Sequence, residues 1–216
     1  MKCHKIHRIG CFLNEVGYAI DIKSRRIVMP RVHVPDDFAH DPSAYVWSQY
    51  APDIAGGAAN YIHAVYTKSR LQLRELEAAR MRTAQINGCE LCIGMRADRD
   101  LAGFLEGAGV DPRQAVSARG DPVPDAQFYA EIENWQTSAC YSPRERLIIE
   151  YADRMGNAPK AMKHDEELWA RMHALFSDSE IVDMTFCIGA WMALGRLTHV
   201  LDLDSVCMPT TTSEAA

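Results

Sequence analysis

Residues 73–92 read LRELEAARMRTAQINGCELC, and this stretch decides the architecture. Leu73 to Ile86 is built from strong helix formers, with Leu73, Glu77, Met81 and Ala84 on one face. Asn87-Gly88 is a stop signal, because glycine accepts the left-handed backbone that closes a helix. Cys89 then falls at the start of a new helix, where unpaired N–H groups and the helix dipole favour an anion. A thiolate is such an anion, and helix N-termini lower cysteine pKa values. Cys92, three residues on, shares that face and comes within disulfide reach after a slight adjustment of the first turn. The spacing points to a reversible dithiol. The alternative is two inert cysteines packed on an apolar helix face.

Outward from this block the helix signals continue. Asp53 to Tyr66 carries Ile54, Ala58, Tyr61, Ile62 and Val65 at helical spacing, with Pro52 near its first turn. A helix is predicted from about Cys89 to Glu106, closed by Gly107 and Gly109, and Gly109 to Pro124 reads as a connecting loop. Capping boxes at Ser142–Glu145 and Ser177–Glu180 open a helix to about Met155 and a long C-terminal helix. His164 to Phe176 is an amphipathic segment between them. No strand signal appears from residue 40 onward, so the fold class is all-α. Residues 1–30 read as an irregular N-terminal extension, with Cys3, His4, His7 and Cys11 beside the β-prone Arg26-Ile27-Val28. Residues 31–216 read as one helical domain with a polar tail from about residue 209, and no internal repeat is evident.

With 48% hydrophobic and 24% charged residues, the 216-residue chain has enough apolar material for a core without disulfide staples. A net charge of -6 argues against a nucleic-acid partner. The most apolar segment, Met184 to Leu194, has the length of a core helix and no membrane partner is expected. Seven irregularly spaced cysteines argue for a reducing compartment, hence a cytoplasmic location. No metal is expected. Zinc would need two more ligands beside the CxxC pair, while Cys140, Cys187 and Cys207 are isolated and His63 and His199 approach only through the fold.

Glu77 is the second informative residue. A carboxylate on an inward face is costly unless paired, and unpaired it has a raised pKa suited to proton transfer. The competing reading is a salt bridge to Arg80 at i+3.

The pattern Glu77-x₁₁-Cys89-x₂-Cys92, with the wording from Ala84 to Met95, resembles the alkylhydroperoxidase D-like (AhpD-like) branch of the carboxymuconolactone decarboxylase family. Tyr141 to Arg146 and Phe176 to Asp183 resemble its later helix starts, so the likeness covers roughly residues 42–203. The resemblance implies a bundle of about six to eight helices, assembly as a homo-oligomer (trimer or hexamer), and a dithiol that reduces a small-molecule hydroperoxide. It implies no cofactor beyond the redox-active disulfide, with electrons from a dihydrolipoyl group or another dithiol donor. Carried over, Cys92 is the peroxidatic thiol, Cys89 the resolving thiol, and Glu77 acts through Cys89 in a proton relay.

One position departs from that pattern. Where the family pattern continues from the second cysteine with three residues and then a histidine, this chain has Arg96, which stays charged and relays no proton. One helical turn beyond Cys92, Arg96 is expected to steady a thiolate or to stand as a solvated surface residue, and His199 on the last helix is a candidate replacement base or a lone core or surface histidine. A weakened or altered peroxidase is one outcome. Another is a non-redox lyase or decarboxylase-like enzyme in which Glu77, Arg96 and His199 line a pocket and the arginine binds a substrate carboxylate. A third is a non-catalytic helical assembly or redox sensor. Trp135, Trp169 and Trp191, with Met172, Met184 and Met192, read as core or subunit-interface packing.

Overall fold

The computed structural model describes residues 11–13, 19–21, 26–27 and 29–204. The chain divides into two compact units, one formed by residues 1–55 and 197–216 and the other by residues 56–196.

The first unit contains a three-stranded antiparallel sheet, β1 (Cys11–Leu13), β2 (Ala19–Asp21) and β3 (Arg26–Ile27), in sequence order. The β-prone Arg26–Ile27 is thus a strand, and the arm read as irregular carries short pairing segments. Cys3, His4 and His7 lie outside the described residues. Helix α1 (Pro42–Tyr50) follows, capped by Asp41, whose side chain accepts from the Ala44 N–H. Its Val46 packs with Val34 and Leu203 in a small core.

The second unit holds the body of α2 (Pro52–Lys68), then α3 (Leu73–Asn87), α4 (Glu90–Gly94), α5 (Ala97–Gly107), α6 (Ala126–Ala130), α7 (Pro143–Asn157), α8 (Pro159–Met162), α9 (Glu166–Leu175) and most of α10 (Asp178–Val200). Ten α-helices among the described residues exceed the six to eight expected, because α4, α6 and α8 are one-turn pieces that leave no periodic signal. The segment read as a loop from Gly109 to Pro124 contains two short 3₁₀ turns, at Pro112–Gln114 and Val116–Arg119.

Helix α3 is the centre of this unit. Eleven of its fifteen residues are buried, on every side of the helix rather than along one stripe. Leu73, Leu76, Ala78 and Ala79 expose no surface, and each buried leucine contributes about 1.5–3 kcal/mol. The alanines let α7 lie close alongside. Both helices begin with capping boxes, Gln72/Glu75 and Ser142/Glu145, and the two N3 glutamates also bind across the pair. Arg74 Nε is 2.6 Å from Glu145 Oε1 and Arg144 Nε is 2.6 Å from Glu75 Oε1, a reciprocal exchange. Further along, Arg82 Nε donates to Asp153 Oδ1 at 2.9 Å, so the helices run parallel.

Helix α10 is long and apolar enough by length and composition to cross a membrane. Half of that stretch is buried, however, with Met184, Ile188 and Ala190 in the core, as in a central helix of a folded domain.

Candidate functional site: the Cys89–Cys92 pair

Helix α3 ends where the sequence places its stop. Gly88 has φ 69°, its N–H reaches Gln85 O at 3.1 Å, and the Cys89 N–H reaches back to Ala84 O at 3.2 Å. The chain reverses at once, and the second residue past α3 is also the N-cap of α4. Cys89 Sγ accepts from the Cys92 N–H at 3.2 Å, so that sulfur occupies the anion-favouring position at the helix start. Cys89 and Cys92 are joined as a disulfide, with Cα atoms 5.2 Å apart. Cys89 is fully buried, whereas Cys92 is only half-buried.

The predicted single helix from Cys89 to Glu106 is broken. Met95 and Arg96 are extended (Met95 ψ 143°; Arg96 φ -131°, ψ 125°), separating α4 from α5. Arg96 therefore does not continue the helix one turn beyond Cys92. The interruption is held by two carboxylates, one buried and one partly exposed. Glu77 Oε2 accepts from the Ala97 N–H at the first turn of α5 at 3.4 Å, and the Asp100 carboxylate accepts from the Arg96 N–H at 2.8 Å.

The carbonyls at the C-terminal end of α4 have no helical partners, and three arginines take them all. Arg80 Nη1 donates to Cys92 O at 2.6 Å and its Nη2 to Met95 O at 2.9 Å. Arg96 Nη1 donates to Ile93 O and Met95 O, both at 2.7 Å. Arg99 Nη2 donates to Gly94 O at 2.8 Å. Cations at a helix C-terminus also complement its dipole.

Glu77 and Arg80 are sealed from water, and the salt bridge between them is the arrangement found. Arg80 Nε lies 2.5 Å from Glu77 Oε1 and Nη2 lies 2.9 Å from Oε2. The Tyr129 hydroxyl donates to Glu77 Oε2 at 2.6 Å. Burial alone pushes the Glu77 carboxyl up, but the charge and hydrogen bonds of Arg80, then Tyr129 and the Ala97 N–H, outweigh it and hold the acid below its ordinary value. The raised pKa expected of an unpaired Glu77 does not arise, because the acid is paired with Arg80: the carboxylate is held ionised. Its hydrogen bonds go to Arg80, Tyr129 and Ala97, and its link to the dithiol runs through Arg80 to the Cys92 carbonyl.

Arg96 stacks on Tyr129, its Cζ 4.0 Å from the ring centroid. Burial lowers its pKa, as water is partly stripped from a cation. Burial and the neighbouring Glu77 charge push the Tyr129 hydroxyl well above its ordinary pKa, so it serves as a hydrogen-bond donor. His199 lies in the other unit, where its Nδ1 is 3.0 Å from Asp204 Oδ2. Of the five residues singled out from the sequence, the second unit brings together Cys89, Cys92, Glu77 and Arg96.

Helix α10 closes the site from a further side. The Asn87 side chain donates to Trp191 O at 2.9 Å and accepts from Arg196 Nε at 3.0 Å, which pins the α3–α4 junction. A β-carbon at Gly195 would sit 2.6 Å from Asn87 Nδ2 and 3.6 Å from Cys92 Sγ, so glycine leaves room for both. Tyr129, Asn87 and Gly195 were not singled out from the sequence. Tyr129 lies 52 residues from Glu77 on a five-residue helix and gives no local signal. Asn87 marks only a helix stop in the sequence.

No protein-family model and no curated protein matches the chain. Among solved structures, it is similar to a protein of unknown function from Agrobacterium tumefaciens, described as a candidate antioxidant defence protein AhpD. The TM-score is 0.55 at 21% identity, covering 72% of this chain and 92% of that one. It is also similar to the apo debrominase Bmp8, with a TM-score of 0.51 at 16% identity, covering 70% of each chain. At these identities the likeness is one of fold, and the fold is the AhpD-like helical fold.

Proposed function

We propose that this protein is a thiol-dependent oxidoreductase that reduces hydroperoxides through Cys89 and Cys92. The observation that carries the reading is the unequal pair: a fully buried Cys89 at the helix start bonded to a half-buried Cys92. Cys92, the less buried of the two, attacks the terminal peroxide oxygen as its thiolate. The O–O bond breaks, the alcohol leaves after taking a proton, and Cys92 becomes a sulfenic acid. The Cys89 thiol displaces water from that sulfur and closes the disulfide. An external dithiol donor, oxidised in turn to its own disulfide, restores both thiols by exchange. No other cofactor enters this cycle.

Glu77 and Arg80 position the Cys92 backbone in this scheme, and the leaving alkoxide draws its proton from solvent. Such a cycle suits a reducing compartment such as the cytoplasm. A homo-oligomer, trimer or hexamer, is part of the same proposal. Phe186 at 61% and Val182 at 54% exposure, one turn apart on α10, offer an apolar face for it to cover.

The test is a thiol titration of the reduced protein before and after one equivalent of an organic hydroperoxide, with Cys92→Ser alongside. Rapid loss of two thiols in the parent and none of this loss in the variant is the expected result. If the parent keeps its thiols, peroxidase chemistry is refuted and the search turns to the surroundings of Glu77 and Arg96.

A further inference from the structure

The guanidinium of Arg96 is occupied on one nitrogen only. Nη1 binds the Ile93 and Met95 carbonyls and Tyr129 covers one face, while Nε and Nη2 have no acceptor among the described residues. Those two nitrogens form the edge that pairs side-on with a carboxylate. Arg80, in the same site, shows that edge filled: its Nη1 holds the Cys92 carbonyl and its Nε–Nη2 edge grips both oxygens of Glu77. Arg99 likewise places Nε and Nη2 on Asp100, at 2.6 and 2.7 Å. The three cations that cap α4 therefore have two carboxylates between them, and the surplus charge is on Arg96. The buried side-chain polar atoms without partners are Ser43 Oγ, Trp47 Nε1 and Trp135 Nε1 among the described residues, so the open edge of Arg96 reaches solvent.

We propose that Arg96 is a specificity residue that binds a carboxylate on the oxidising substrate and so directs a carboxylate-bearing hydroperoxide to Cys92. One surplus cation with one open edge matches a monoanion. A dianionic phosphate would call for more than one free cation, and Arg80 and Arg99 are already neutralised. Ile93, whose carbonyl anchors Arg96, is the residue after Cys92, so the guanidinium is tied to the same five-residue helix that carries the reactive sulfur. The carboxylate is unchanged in the reaction, and the O–O bond is cleaved by Cys92 as described above. The inference rests on the dithiol reading for its chemistry, and its own test separates the two.

In that test, the reduced full-length protein is alkylated with iodoacetate and with iodoacetamide, and the Cys92 adduct is quantified by mass spectrometry. Relative to an unstructured cysteine peptide, the iodoacetate-to-iodoacetamide rate ratio at Cys92 should rise about tenfold or more, the scale of a charge-assisted contact. It should fall to the peptide value in Arg96→Met and to an intermediate value in Arg96→Lys, which keeps the charge without the planar edge. A wild-type ratio equal to that of the peptide overturns the proposal, and that measurement depends on no variant folding. In a second arm, thiol loss is timed with a hydroperoxy fatty acid and with its methyl ester. A preference for the acid that Arg96→Met abolishes supports the site. Equal rates for acid and ester overturn it while leaving the dithiol cycle intact. If neither peroxide consumes thiols but iodoacetate is favoured, the carboxylate site stands and the peroxidase reading falls.

Discussion

Arg80 and Glu77 stand one turn apart on α3, both closed to water, and are joined by two hydrogen bonds of 2.5 and 2.9 Å. Arg80 continues from that pairing to the Cys92 carbonyl. A buried ion pair of this kind is poor evidence for added stability, because desolvating two charges offsets much of their attraction. Breaking it is another matter, since one charge is then left stranded.

Glu77→Gln should therefore destabilise the protein by about 3–5 kcal/mol. Arg80→Met, which strands the carboxylate, should cost a similar amount, and the double variant should cost less than the sum. Urea denaturation of the four proteins checks this. Additive losses would show that the pair is not coupled.

The acid limb of stability should carry the signature of Glu77. Its folded pKa lies below the ordinary 4.5, so the native state binds that proton less readily than the unfolded chain. The stabilisation is fully present above about pH 4.5 and is lost as the pH falls through the folded value. Unfolding free energies measured from pH 6 downward should fall more steeply in the parent than in Glu77→Gln. Glu180, held at about 2 by the Ser177 N–H and then by Arg144, titrates in both proteins and cancels in the difference.

Tyr129→Phe removes one donor from a buried carboxylate and should cost about 1–3 kcal/mol. Because that hydrogen bond helps to depress the Glu77 pKa, the acid limb of the variant should begin at higher pH. An unshifted limb would show that Tyr129 does not hold the charge.

Gly195→Ala places a methyl group against the Asn87 amide, at 2.6 Å, and near Cys92 Sγ. Overpacking there should cost about 1–3 kcal/mol and displace the Asn87–Trp191 bond. A lowered melting temperature together with slower alkylation of reduced Cys92 is the expected pair of results.

Cys89→Ser leaves Cys92 without the partner proposed to resolve it. After one equivalent of hydroperoxide, Cys92 should persist as a sulfenic acid trapped by dimedone, while Cys92→Ser should give no adduct at position 89. An adduct on Cys89 alone would reverse the two roles.

Much of the scaffold was legible in the sequence, and for a local reason. The stop at Asn87-Gly88, the start at Cys89, and the boxes at Ser142–Glu145 and Ser177–Glu180 depend on backbone groups within a few residues of one another. The closeness of Cys89 to Cys92 and the inward face of Glu77 were legible in the same way. The reciprocal Arg74–Glu145 and Arg144–Glu75 exchange was not, since either glutamate alone reads as a cap.

By itself, then, the sequence determined a helical chain from residue 40 onward with a Cys-x-x-Cys pair at a helix start. Tertiary packing decided what surrounds that pair. It brought Tyr129 across 52 residues to Glu77, chose the ionised salt bridge over a free acid, and broke the helix at Met95–Arg96. The physical reason is that a buried charge takes its partners from whichever elements pack against it, and that competition is settled only when the helices assemble.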